Sequence, residues 1–303
     1  PAAAATGRLA GKSRSLALTM FFVAGMVGGT IGLATSPYWV GRFGLEGLAL
    51  FLIPGLLAAA LLAWSVRGLG KAHAAHRREL IQLTQQDGRE RWHAVVVMWI
   101  GNMIRFTVNM ALVQLLIIWS EERALRLAGA TQWTPQLRLD ASQTTGLAHA
   151  AMQIGMGLGG LVLGMRIKQG NERRWLVMIP IIGAGGIAAY PLVTGVADEA
   201  GHTLLASIAG WGIAVVMGVG YAGLVPTTLN LAQRLLPHRT SLASGLMLGG
   251  AWFIAALGPI AAQQAHELVG LSNAFTIFAA ALACSGVLGL AIRPALLDRV
   301  ATH

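Results

Sequence analysis

"WHAVVVMWIGNMIRFTVNMALVQLLIIWS", Trp92 to Ser120, runs for 29 residues with a single charged side chain, Arg105. A helix rises 1.5 Å per residue and needs about 20 apolar residues to cross a hydrocarbon core of roughly 30 Å. The stretch is therefore long enough to span a membrane. Seven further tracts lack Lys, Arg, Asp and Glu and meet the same length: 15–41, 47–66, 141–165, 175–197, 201–233, 240–266 and 268–292. One such tract also suits the buried helix of a soluble protein; eight in succession do not. The chain is 55% hydrophobic and 11% charged, against about 25% charged residues in soluble domains. The expected fold class is an all-α integral membrane protein with eight transmembrane helices.

The formal net charge is +10. In a soluble protein that excess would suggest a nucleic-acid partner. The distribution says otherwise. With the first fourteen residues inside, seventeen of the 22 Lys and Arg fall in inside segments. Arg42, Arg123, Arg126 and Arg138 fall outside, and Arg105 remains. This bias predicts that both chain ends are cytoplasmic, with the lipid bilayer as partner and no nucleic acid. Trp39, Trp64, Trp92, Trp119 and Trp175 lie near tract ends, where amphipathic rings favour the interface. The single Cys284 permits no intrachain disulfide and reads as a small buried apolar residue. The opening "PAAAATGRLAGKSRS" lacks the apolar core of a signal peptide, and its first residue, Pro1, suggests a chain that continues upstream.

Two tracts precede the polar segment Arg67 to Arg91, and six follow it. The predicted organisation is an N-terminal unit at 1–66 (a cytoplasmic loop and two spans), a cytoplasmic linker at 67–91, and a six-span unit at 92–303. Residues 121–140 read as an outside loop of balanced charge. Asp198 and Glu199 are expected to face the outer solution. Gly155, Gly157, Gly159 and Gly160, and Gly183, Gly185 and Gly186, are spaced to let helix backbones approach closely.

Arg105 stands 13 residues from Trp92 and 15 from Ser120, too deep to snorkel to either surface. Insertion of an arginine there costs about 2.5–3.5 kcal/mol. Asn102 and Asn109, at i−3 and i+4, share its helix face. A guanidinium fork flanked by two amides suits bidentate recognition of a carboxylate, phosphate or phosphonate. The alternative is a structural ion pair or a carbonyl cap, but no Asp or Glu lies within the eight tracts. His149 and Gln153, an i, i+4 pair in the next tract, and Trp252 complete the candidate substrate-binding set. No nucleophile–base pair or metal cluster is apparent, so neither an enzyme nor a cofactor is expected. "GMGLGG", Gly155 to Gly160, lies inside a span and not at a strand-to-helix turn, which removes a nucleotide-binding reading.

"LAQRLLPHRTSLASGLMLGG", Leu231 to Gly250, resembles the loop between helices ten and eleven of the major facilitator superfamily, in its fosmidomycin-resistance branch. The matching residues are Gln233, Leu235, Leu236, Pro237, Ser244, Gly245 and Leu246. The opening resembles that branch after helix four, which makes the eight tracts helices five to twelve of a twelve-helix fold with four helices upstream. The resemblance implies a multi-pass carrier of the bacterial inner membrane, working by alternating access. It also implies proton-coupled efflux of small anionic or amphipathic compounds, an antiporter linked to drug resistance. Arg105 occupies the place of a basic residue in helix seven. The gating loop after helix eight retains the basic pair Arg173 and Arg174 but has Gln169 near the usual Asp. Gly25-Met26 and Gly32-Leu33 stand where the branch has Gly-Asn and Gly-Pro. An importer of organic anions, or a transporter-like receptor or assembly protein that no longer cycles, remains open.

Overall fold

The apolar tracts fold as helices in the computed structural model, which describes residues 14–66, 88–167 and 170–301; no strand occurs among them. Helix α1 (Arg14–Phe43) ends at Gly44, whose φ of 70° turns the chain. A 3₁₀ turn (Leu45–Phe51) leads into α2 (Leu52–Val66). Then follow α3 (Gly88–Ala128), α4 (Pro135–Arg166), α5 (Glu172–Glu199), α6 (Thr203–Ala222) and α7 (Val225–Leu235). The next span comprises α8 (Thr240–Ser244), a π turn (Gly245–Gly250), α9 (Ala251–Ala255) and α10 (Gly258–Val269). Helix α11 (Leu271–Val287) continues through a 3₁₀ turn (Leu288–Ala291), and α12 (Pro294–Ala301) closes the described chain.

Among the described residues, six helices are long and apolar enough to cross a membrane: Gly88–Ala128, Pro135–Arg166, Glu172–Glu199, Thr203–Leu235, Thr240–Val269 and Leu271–Ala291. They correspond to the last six tracts. The second tract differs from its expected form. It divides between the 3₁₀ turn and the 15-residue α2, which is shorter than a full span. The turn is fixed by Gly44 and by Trp39, whose Nε1 donates to the carbonyl of Gly47 at 2.8 Å. The expected linker falls mainly on 67–87, outside the described residues; Arg89 and Arg91 open α3.

Residues 121–140 are not one long loop. Helix α3 runs on to Ala128, where Gly129 at φ 59° stops it, and its N–H returns to the carbonyl of Arg126. Helix α4 starts at Pro135, capped by Thr134, whose Oγ1 accepts from the Leu137 N–H at 3.2 Å. Balanced charge marked solvent exposure but carried no information on helix length. Pro226, which has no N–H, stands in the first turn of α7, and the α-helix restarts there after Gly223 and Leu224.

Helix α1 lies along α4, α4 along α6, α6 along α5 and α5 along α11, while α10 and α11 both pack on α3. Glycine sets the closest of these approaches. A Cβ on Gly155 would stand 2.0 Å from the carbonyl oxygen of Val215, and one on Gly218 would stand 2.1 Å from that of Met152. Gly183 and Gly220 meet in the same way between α5 and α6. Gly157 faces Met26 of α1, whereas Gly185 faces open space and brings no helix close. Cys284 is exposed on α11, not buried as its small apolar character suggested.

The core consists of two apolar clusters. One, at the end where α3 begins (the near end), gathers Val95, Met98, Leu229, Leu235 and Ile292. The other, toward the far end, gathers Leu112, Leu115, Trp119, Tyr190, Met217 and Phe275.

Candidate functional site

Between the two clusters α3 changes character. Ala94, Val95 and Met98 belong to the near cluster, Phe106 and Val108 to the far one, and Asn102 and Arg105 lie between. Arg105 is 2% exposed. Its Nη1 donates to Asn102 Oδ1 at 3.1 Å, so the i−3 amide anticipated from spacing does orient the fork. Gly101 makes room for it: a Cβ there would lie 3.2 Å from Arg105 Nη2 and 3.7 Å from the Ser285 carbonyl. The guanidinium therefore curls over its own helix toward α11. The Arg105 Nε–H has no hydrogen-bond partner among the described residues.

Asn102 is shared by three elements. Its Nδ2 donates to Thr228 Oγ1 of α7 at 3.2 Å and to the Met247 carbonyl of the π turn at 3.4 Å. Thr228 in turn contacts the Val225 carbonyl at 3.1 Å. A π turn leaves carbonyls outside the regular i→i+4 ladder, and the amide of Asn102 covers one of them. The result is a polar layer across α3, α7 and the π turn, bordered by α11, with apolar packing above and below.

The other expected site residues are spread apart. Asn109 is buried on α3, two turns beyond Asn102. His149 interacts with the backbone of Val113 in α3, and its Nε2 has no partner among the described residues. Gln153 turns instead toward α1: a Cβ on Gly29 would lie 3.3 Å from its Nε2, and its Oε1 is unpaired among the described residues. Trp252 stacks on Phe106 with ring centroids 4.7 Å apart. The structure thus joins Arg105 to Asn102 and distributes the remaining four over other seams.

In the gating loop, Arg173 donates from Nη2 to the Leu290 carbonyl at 2.8 Å, and Arg174 lies against Met178. Gln169 lies outside the described residues. Glu172, one position before the basic pair, is buried and meets Arg234 of α7 at 3.0 Å. Its other oxygen accepts from the Gly170 N–H at 2.6 Å. An acidic partner thus exists at this loop, from a residue that sequence matching passed over.

At the far end Asp198 does not face solution as expected; Glu199 does. Asp198 accepts a bidentate pair from Arg123, Nε to Oδ2 at 2.6 Å and Nη2 to Oδ1 at 2.8 Å. Arg126 approaches at 3.5 Å. Arg123 also lies over the Trp119 ring at 5.3 Å and borders a cavity of about 40 Å3 shared with Tyr190, Ser207 and Trp211. The cause is helix length. Helix α5 continues through Glu199 and α3 through Ala128, so Arg123 reaches Asp198 across the bundle instead of hanging in a loop. A broad depression of about 490 Å3 between α5 and α6 is lined almost wholly by apolar side chains and lies away from the polar layer.

The Major Facilitator Superfamily family model matches residues 1–247. The chain belongs to that superfamily, a family of transporters rather than of enzymes, and is a multi-pass membrane transport protein. A search among curated proteins finds no match.

Proposed function

We propose that the protein exports small anionic or amphipathic compounds across a bacterial inner membrane in exchange for protons. It works by alternating access, with both chain ends in the cytoplasm. Residues 92–303 form the C-terminal half, and residues 1–66 belong to the opposing half. The observation that carries this reading is Arg105. It is a desolvated cation at mid-span, holding one amide through Nη1 and keeping its Nε–H unspent. No ion pair of Arg105 occurs among the described residues. Such a charge is costly unless an anion answers it. An anionic substrate supplies that partner when the helices part, with Asn102 presenting the fork and with Asn109, His149, Gln153 and Trp252 along the route.

Rocking requires a half that moves as one body. The two ends of α5 supply this: Glu172 is tied to Arg234 of α7 and Asp198 to Arg123 of α3. The Arg173–Leu290 contact ties the start of α5 to the end of α11. The gating loop is then held by Glu172, Arg173 and Arg174 together.

Direction is tested in vesicles of both orientations containing the full-length protein. Inside-out vesicles with an acidic lumen should accumulate a labelled organic monoanion, and right-side-out vesicles should not. Accumulation only in right-side-out vesicles would make the protein an importer, and absence of flux in both would remove the transport reading.

A further inference from the structure

We propose that His149 carries the exchanged proton on its Nε2 and that Gln153 is the acceptor that holds it there. The inference rests on the proton-exchange reading above and names the group that performs the exchange. His149 is 7% exposed and interacts with the backbone of Val113. The Val113 N–H is committed to the helical ladder of α3. Its carbonyl has a second lone pair, so the ring donates and the carbonyl accepts. Nε2 has no partner among the described residues, which leaves Nδ1 as the donor. A neutral ring that donates through Nδ1 presents a lone pair at Nε2. Gln153, at i+4, stands on the same face of α4. Its Oε1 is also buried without a partner among the described residues. Two acceptors cannot bond each other. A proton on Nε2 turns one of them into a donor and answers both, where unanswered polar atoms are costly.

The pair adjoins the contact of α4 with α1, which the reading above assigns to the opposing half. A Cβ on Gly29 would lie 3.3 Å from Gln153 Nε2, and one on Gly146 would lie 2.6 Å from the Leu33 carbonyl oxygen. With the ring neutral, Gln153 turns toward α1. Holding the proton draws Oε1 back to His149 and reorients the amide against Gly29. The charge on His149 is thereby linked to the seam along which the halves part. No carboxylate pairs with the ring among the described residues. On α3, Arg105 lies about two turns to the near side of Val113, and Glu121, Glu122 and Arg123 lie beyond the far end of the apolar tract. At the level of His149, α1 offers residues 29–33, none of them titratable; Tyr38 and Arg42 lie farther out. Helix α6 carries Tyr221, past the approach of Val219 to Gly159, and α7 carries Arg234. The nearest charges on α4 itself are Asp140 and Arg166. A neutral amide is therefore the group placed to hold the bound proton.

The test separates proton coupling from substrate movement in inside-out vesicles containing the full-length protein. Two rates are read with a labelled organic monoanion: uptake driven by an acidic lumen, and exchange against the unlabelled monoanion without a pH gradient. His149→Gln, at wild-type insertion and melting temperature, should bring driven uptake down to the rate seen without a gradient and leave exchange unchanged. Gln153→Leu removes the acceptor of the protonated ring. It should move the midpoint of driven uptake against luminal pH down by about one unit. Gln153→Glu supplies a charged acceptor and should move the midpoint up. These two variants serve if His149→Gln does not fold. Driven uptake that persists in His149→Gln overturns the proposal. So does exchange lost together with driven uptake, which would make His149 a substrate contact, or a midpoint unmoved in both Gln153 variants. Failure of the exchange reading has a separate signature: wild-type uptake then ignores the gradient while exchange continues, and the proposal falls with it.

Discussion

Replacing Asp198 by Ala should be among the most damaging changes at the far end of the bundle. The Asp198 side chain is 2% exposed and that of Arg123 is 9% exposed. Breaking such a pair from one side leaves an uncompensated buried charge, at a cost of about 3–5 kcal/mol. Arg123 would keep the Thr203 carbonyl at 3.2 Å and Ser207 Oγ at 3.3 Å, which argues for the lower part of that range, about 3 kcal/mol. In a chain of this size that corresponds to a fall in melting temperature of about 6–12 °C. The assay is thermal unfolding in detergent, followed by tryptophan fluorescence. Arg126→Ala, at a half-exposed partner, should cost less than about 1 kcal/mol, and Glu199→Ala should change nothing measurable. Arg123→Met with Asp198→Leu should recover most of the loss, because no charge is then stranded. A shift below about 2 °C for Asp198→Ala, or a double variant as unstable as the single one, would refute the argument that this pair is desolvated.

Gly155→Ala and Gly218→Ala should each prevent normal packing of α4 on α6, since each Cβ would overlap backbone at 2.0 and 2.1 Å. Gly185→Ala, with open space around it, should melt like wild type. Thr228→Val should remove a hydrogen bond from Asn102 (3.2 Å in the native protein) and reduce transport more than it reduces melting temperature, as read by comparing flux with unfolding. Glu172→Gln should loosen the α5–α7 contact at the near end, and proteolysis at the 167–172 loop should quicken.

The helical membrane class was legible because apolar length is additive along the chain; each 20-residue tract counts without knowledge of its neighbours. Asn102 was legible for the same local reason, being one turn from Arg105. Asp198 was not. Its partner Arg123 stands 75 positions away, and each residue separately resembles ordinary polar flanking of a span. Glu172 was hidden by its position one residue before a basic pair, and its contact with Arg234 depends on where α7 lands after the break at Pro226. Gln153 followed its i, i+4 spacing from His149, yet Gly29 of α1 draws it into a different interface. The second tract met the length criterion, but Gly44 and the 3₁₀ turn consumed its first residues.

The central claim is that Arg105 supplies the positive charge that an anionic substrate requires. Its most direct test is the initial rate of proton-driven uptake of a labelled organic monoanion into inside-out vesicles, comparing wild type with Arg105→Ala and Arg105→Lys at equal membrane insertion. Loss of a charge-assisted hydrogen bond, worth about 1.5–3 kcal/mol, predicts a fall of roughly tenfold or more for the alanine variant. The lysine variant should also be slow, since a point charge cannot reproduce the fork. Uptake by Arg105→Ala at the wild-type rate would contradict the account.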